Sequence, residues 1–277
     1  MRLARHGSAG AETPLISGPD GVWRDLRPVV DDLNADTLPA VLAGVDLSAL
    51  PPVGRPDRFG PPLSGVGKVV CIGLNYRQHA AETGAAVPDE PIVFLKAADT
   101  VVGPDDAVLI PRGSVKTDYE VELAVVIGRE ARYLPDEAAA AACVAGYAIS
   151  NDVSEREFQL ERGGQWDKGK NCETFNPLGP WLLTADEVPD PQALGLRLSV
   201  NGQVRQDGST SDMIFGVFEL VRYLSHFMVL RPGDVINTGT PAGVALGLAG
   251  TPYLRAGDVV DVEIDGLGRQ RQTFEEA

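Results

Sequence analysis

The 277-residue chain reads as a β-dominated α+β protein, a mixed sheet with a few helices behind a small N-terminal unit. Three observations predict this. Residues 51–67, PPVGRPDRFGPPLSGVG, hold five prolines and four glycines, too many for a long helix or a central strand, and mark a joint. Beyond the joint, strand signals follow one another without the regular βαβ alternation of a doubly wound fold. Asn201-Gly202, set between two alternating runs, is a hairpin turn.

Along the chain, GPDG at 18–21 is a turn and TLPAVLAG at 37–44 a short helix. Residues 1–60 thus read as a small N-terminal domain without a visible catalytic constellation, and 61–277 as a second domain. KVVCIGLN (68–75) and PIVFLK (91–96) are buried strands, and YEVELAVVIG (119–128) is a long one ended by Gly128. PDEAAAAACV (135–144) opens as a helix, with Pro135 and acids in its first turn. GYAISND (146–152) returns as a strand, and LRLSVNGQVRQ (196–206) is the hairpin. SDMIFGVFELVRYLSHF (211–227) is an amphipathic helix with Ser211 or Asp212 as N-cap. GDVINTG (233–239) and GDVVDVEIDGLGRQRQTF (257–274) supply the last strands.

Composition narrows the function classes. A formal net charge of −15 and a pI of about 4.6 repel phosphate backbones, so nucleic acid is not an expected partner. Cys71, Cys143 and Cys172 are odd in number and widely spaced, which argues for a reducing, cytoplasmic setting without a disulfide framework. MRLARHGSAG has no apolar stretch behind its basic residues, so no signal peptide is expected. The longest apolar stretch, Ala138–Ile149, is short, Ala-rich and interrupted by Gly146, and cannot span a membrane.

The chemistry starts at Glu120-Val121-Glu122. In a strand these two carboxylates share one face, while Val121, Leu123 and Val125 take the other. Acids side by side on a buried strand repel, and shared protons, basic partners or a hard divalent cation must neutralise them. The alternative is a solvated strand end. Asp152 closes a second strand. Alone it reads as the N-cap of SEREFQLE, a short helix; with the two glutamates it completes the carboxylate set of an octahedral Mg²⁺ site with open water positions. Arg156 and Gln159, i and i+3 in that helix, share one face and reach either a ligand near Asp152 or solvent.

His79 and Glu82 are likewise i and i+3 in a helix-compatible segment, NYRQHAAE. A glutamate that accepts from one imidazole nitrogen leaves the other as a general base; otherwise the two form a surface pair. Thr83-Gly84-Ala85-Ala86 follows and is weakly structured enough to move as a lid. The other histidines are His6, near a terminus expected to be mobile, and His226, in the amphipathic helix. Lys168 and Lys170 lie in a Gly- and Pro-marked loop, GGQWDKGKNCETFNPLGPWL (163–182), where a lysine is by default solvated, or else, near a carboxylate cluster, steadies an enolate or a carboxylate. Thr240, in the sharp turn after Asn237, offers a hydroxyl and a backbone N–H to an anion.

Taken in order, CIGLNYRQHAAE, PIVFLK, DYEVELAVVIG, GYAISNDVSEREFQ, KGKNCETFNPLGPWL and INTGTPAGV resemble the fumarylacetoacetate hydrolase family over about Val69 to Leu246. The resemblance implies a mixed β-sandwich roll, usually dimeric, with one Mg²⁺ or Mn²⁺ per chain held by Glu120, Glu122 and Asp152. It implies a His79–Glu82 dyad that activates water and lies on a lid ordered by ligand. It places Arg156, Gln159, Lys170 and Thr240 around the substrate. The name-giving enzyme's further acidic ligand falls here on Ile72, which implies the three-carboxylate subgroup. The 163–182 run is similar to hydrolases of 2,4-diketo-3-deoxy sugar acids; similar proteins also carry the name ureidoglycolate lyase, and some relatives decarboxylate oxaloacetate. The expected activity is therefore hydrolysis of a C–C bond in a small 2,4-dioxo acid, with decarboxylase or lyase chemistry as the alternative. A non-catalytic metal-binding module would leave His79 and Glu82 without a role.

Overall fold

The computed structural model describes residues 1–277, and a ten-stranded sheet draws its strands from residues 2–237. Edge to edge its strands are Trp23–Asp25, Thr13–Ser17, Arg2–His6, Asn176–Thr184, Val144–Asn151, Val121–Ile127, Val235–Asn237, Val69–Gly73 and Ile92–Lys96, with Val101–Val102 beside the fourth. Val235–Asn237 is antiparallel to Val121–Ile127 and parallel to Val69–Gly73, so the sheet is mixed. A five-stranded sheet (Gln203–Ser209, Gly195–Val200, Val259–Ile264, Gly268–Glu276 and Val108–Ile110) forms the second layer. The β-dominated α+β class read from the sequence is the class observed.

The strand Val121–Ile127 is buried on both faces, as its unbroken apolar run requires. Val121, Leu123, Val125 and Ile127 enter one core together with Leu198, Val260 and Phe274 of the second sheet. Ala124 and Val126 enter the other core, with Val69, Cys71 and Phe94. Glu122 has the parity of Ala124, so its carboxylate stands on that second face.

Residues 1–60, expected as a small unit, add three strands to the edge of the large sheet through Arg2↔Leu183 and Leu3↔Leu182. Leu3, Ile16 and Leu26 share the core of Val69 and Ala124. His6 therefore ends a paired strand, which corrects its placement at a mobile terminus.

Asn201 and Gly202 form the expected hairpin turn, with φ of 51° and 77°. Two positive φ values are what a type I′ turn needs, and Asn-Gly tolerates both. The amphipathic helix is shorter than expected, Val217–Leu224, and its N-cap is Gly216, not Ser211 or Asp212. Asn75 prevents an earlier start: its carbonyl accepts from Ile214 N and its side chain accepts from Phe215 N, which holds those two residues in a bend outside the helix. The three cysteines are free thiols, and no helix is long and apolar enough to cross a membrane.

Candidate active site

Glu120 lies just before the strand that carries Glu122, and its carbonyl accepts from Asp152 N at 2.9 Å. That bond, with the pairing Ser150↔Glu122, brings Asp152 to the two glutamates. One oxygen from each of Glu120, Glu122 and Asp152 lies within 4.8 Å of the others, and all three residues are buried. Asp152 is not a helix cap. Ser154–Glu155 continues as a short strand against Thr117–Asp118, and Arg156 N donates to Lys116 O at 3.0 Å. Only then does one π-helical turn, Glu157–Glu161, begin, with Arg156 at its N-cap.

Buried cations interleave the carboxylates. Lys170 Nζ donates to Glu120 Oε2 at 2.7 Å and to Asp152 Oδ2 at 2.9 Å. Arg156 spends one arm on each of three partners: Nε on Asp118 (2.8 Å), Nη1 on Gln159 (3.0 Å) and Nη2 on Glu120 (2.7 Å). Lys96 Nζ donates to Asp152 Oδ1 and to the carbonyls of Val153 and Phe175. The Lys170 turn sits so close to the Arg156 turn that a Cβ on Gly169 would lie 2.3 Å from Glu155 O, so only glycine fits there.

These partners set the protonation of the cluster. Burial pushes Glu120 up, but Lys170 and Arg156 outweigh it and hold the carboxyl down to about 2. Glu122 goes the other way: burial, then the charges of Asp152 and Glu120, raise it well above the usual carboxylate range. Its one hydrogen bond comes from Gly239 N (2.8 Å) to Oε2. Fully ionised, Asp118, Glu120, Glu122 and Asp152 would carry one negative charge more than Lys96, Arg156 and Lys170 balance, and without a cation it is the proton on Glu122 that removes the excess. Three oxygen donors and a crowded carboxylate whose proton a cation would replace fit a hard divalent cation.

The opposite wall is the helix Arg77–Thr83, closed by Gly84 in the left-handed region at φ 67°. His79 Nδ1 is 3.5 Å from Glu82 Oε2, the long end of hydrogen-bond distance. Both Glu82 oxygens also accept from Gly243 N at 3.0 Å. Burial raises the Glu82 carboxyl, but His79 and the Gly243 N–H together bring it below its usual value. The helix, read as part of a lid, is formed and docked here. Thr240 lies in the same 239–247 turn. Its hydroxyl donates to Val121 O (2.9 Å) and accepts from Gln206 Nε2 (2.8 Å), so its backbone N–H and not its hydroxyl is the donor left for an anion.

A cavity of about 270 Å³ joins these walls. His79, Glu120, Glu122, Arg156, Gln159, Lys170 and Thr240 line it, whereas Glu82 and Asp152 stand behind His79 and Lys170. Arg156 and Gln159 point inward, so the surface reading of their spacing does not hold. Lys168 bonds Arg162 O at the exposed surface, and His226 bonds Leu134 O far along the chain from the cluster.

Reasoning from sequence missed Lys96, Asp118 and Trp166. Lys96 has the parity of Phe94 in PIVFLK, and an ammonium on the buried face of a strand was the available signal. Asp118 continues the i, i+2 acidic series of Glu120 and Glu122. Trp166 carried no signal beyond being an aromatic in a glycine-marked loop.

Asp118 organises more than Arg156. Oδ1 accepts from the N–H groups of Tyr119 (2.9 Å) and Ala245 (2.8 Å), and Oδ2 accepts from Arg156 Nε and from Leu246 N (3.0 Å). Asp118→Asn would turn an NH₂ group toward donors and remove the charge partner of a buried guanidinium. We expect a loss of about 3–5 kcal/mol, the cost of breaking a buried pair on one side, measured by denaturant unfolding without added metal.

Comparison with known proteins follows the same lines. The family model described as "Fumarylacetoacetate (FAA) hydrolase C-terminal" matches residues 68–275. A Burkholderia lata protein that carries a hydrolase name is 51% identical over 282 residues, covering 100% of both chains. The solved fumarylacetoacetate hydrolase from Exiguobacterium antarcticum is 35% identical with a TM-score of 0.87, covering 100% of each chain. The solved 5-carboxymethyl-2-hydroxymuconate delta-isomerase from Mycobacterium smegmatis is 34% identical with a TM-score of 0.77, covering 100% of this chain and 99% of the other. The chain belongs to the fumarylacetoacetate hydrolase family, whose members are enzymes.

Proposed function

We propose that this chain is a divalent-metal-dependent hydrolase that cleaves the C3–C4 bond of a small 2,4-dioxo acid. One observation carries the reading: His79 faces Glu120, Glu122, Arg156 and Lys170 across a single cavity. Glu120, Glu122 and Asp152 would hold one Mg²⁺ or Mn²⁺ per chain. When bound, such an ion supplies Lewis-acid stabilisation to an oxyanion beside it.

The chain's own groups do the rest. The Thr240 N–H and the Gln159 amide orient the acid and its oxo groups. Glu82 accepts from one imidazole nitrogen and leaves the other to take a proton from water. Its 3.5 Å separation from His79 is of the kind that tightens when substrate closes the site. The water oxygen then bonds to C4 and the C3–C4 bond breaks. The electron pair passes to the pyruvate enolate, whose negative charge Lys170 in the cavity lining would help offset, and C3 regains a proton. The products are a carboxylic acid and pyruvate. The test is a panel of 2,4-dioxo acids, oxaloacetate and ureidoglycolate, with pyruvate release from the dioxo acids as the expected result. Turnover of oxaloacetate or ureidoglycolate alone would replace the hydrolase with a decarboxylase or lyase.

The solved relative named as a delta-isomerase supports a second reading, in which the same groups move a proton along a conjugated 2-hydroxy acid and no C–C bond breaks. Absence of pyruvate together with a shift in ultraviolet absorbance marks that outcome. The family resemblance also supports a homodimer. Sedimentation at micromolar concentration should give twice the 29.4 kDa chain mass, and a monomer contradicts it.

A further inference from the structure

We infer that the acyl end of the substrate is apolar: an alkyl or aryl acylpyruvate, and neither a sugar acid nor a dicarboxylate. This rests on the hydrolase reading above and deepens it. The polar groups of the cavity lie on its floor, where Glu120, Glu122, Arg156, Gln159, Lys170 and Thr240 are all buried. The outer cavity is different. Leu74, Trp166 and Leu246 line it half-buried, and Leu160 is 44% exposed. Below them Ile72 and Phe94 continue the apolar surface, with Trp166 edge-on to Phe94 at 5.7 Å between centroids.

Hydroxyl groups on a substrate need partners, and the outer cavity's side chains, the Trp166 indole apart, offer them no free donor and only one acceptor. Its one hydroxyl residue, Thr83, donates to His79 O (3.0 Å) and Ala80 O (3.3 Å) of its own helix. Burying a sugar-like chain against Leu74, Leu160 and Trp166 would strip water from its hydroxyls without replacement.

A second carboxylate lacks a cation. The charged lining residues other than His79 are Glu120, Glu122, Arg156 and Lys170. Arg156 and Lys170 are already committed to Asp118, Glu120 and Asp152. The nearby Arg162 and Lys168 turn to Glu157 and to the Arg162 carbonyl and do not line the cavity. The chain's net charge of −15 further disfavours a doubly charged acid. An alkyl or aryl group suffers neither cost and covers the apolar wall.

The test uses the Mg²⁺-loaded protein and three 2,4-dioxo acids that differ only at the acyl end: phenyl, polyhydroxylated and carboxylated. Pyruvate release gives kcat/KM, and quenching of tryptophan fluorescence gives binding. We expect kcat/KM for the phenyl compound to exceed the other two by roughly tenfold or more, the scale on which apolar pockets discriminate. Its quenching signal should disappear in Trp166→Phe, which keeps Trp23 and Trp181. Leu160→Asp, at a partly exposed position that tolerates the change, should collapse the phenyl-to-hydroxylated ratio through KM. Equal or faster cleavage of the hydroxylated or carboxylated acid overturns the inference and leaves the hydrolase standing. If no compound is cleaved yet the phenyl acid binds tightest and quenches Trp166, the hydrolase reading fails and the apolar subsite stands. If none is cleaved and none binds preferentially, both fail.

Discussion

His79→Ala should lower pyruvate release from a 2,4-dioxo acid by about 10²–10⁴, the usual contribution of a positioned general base. The imidazole is 9% exposed, lines the cavity and faces the carboxylates without being one of the groups that converge on them. Cation affinity, read by calorimetry, should stay near wild type, because the three acidic side chains keep their positions. Glu82→Gln should act in the same direction but less severely, since in the proposed mechanism Glu82 only orients the imidazole, and it is itself steadied by the Gly243 N–H. Full hydrolytic activity in His79→Ala would reduce the pair to a structural contact. Lost hydrolysis with retained decarboxylation of oxaloacetate would separate water activation from the rest of the site, since loss of CO₂ needs no attacking water.

Glu122→Gln should remove cation binding and turnover together, and should change stability in a way that depends on metal and pH. In metal-free protein the Glu122 carboxyl is raised by burial and by Asp152 and Glu120. The unfolded chain therefore loses this proton near 4.5 while the folded chain keeps it, and stability falls as pH rises above that value. Glutamine has no such proton. The variant should match wild type below about pH 4.5 and become the more stable of the two as pH rises. Saturating cation should reverse the order. A ligand at 100 times its Kd stabilises by about 2.7 kcal/mol, and only the wild type gains it. A variant that still gains stability from Mg²⁺ would move the ion elsewhere.

Much of this site was legible because strand geometry is simple. Alternation in a strand puts Glu120 and Glu122 on one face, and the apolar residues between and after them bury that strand. The Asn201-Gly202 turn is similarly local, since its dihedral requirement lies in the two residues themselves. What escaped depends on contacts distant in sequence. The helix at 217 starts late because Asn75, 140 residues away, holds Phe215. The turn after Asp152 starts late because Thr117–Asp118 captures Ser154–Glu155 in a ladder first. Lys96 and Asp118 matter through Asp152 and Arg156, partners 56 and 38 residues along the chain. Their parity hinted at burial, but nothing local named the partner.

On the proposed mechanism the buried carboxylates Glu120, Glu122 and Asp152 hold a divalent cation used to break a C–C bond. The most direct test strips the protein with a chelator, dialyses it, and measures pyruvate release from a 2,4-dioxo acid before and after one equivalent of Mg²⁺ or Mn²⁺ per chain is restored. The stripped protein should release no pyruvate and should recover at one ion per chain, whereas Glu122→Gln should show neither release nor recovery. Undiminished release by the stripped protein, or recovery in Glu122→Gln equal to wild type, would contradict this mechanism.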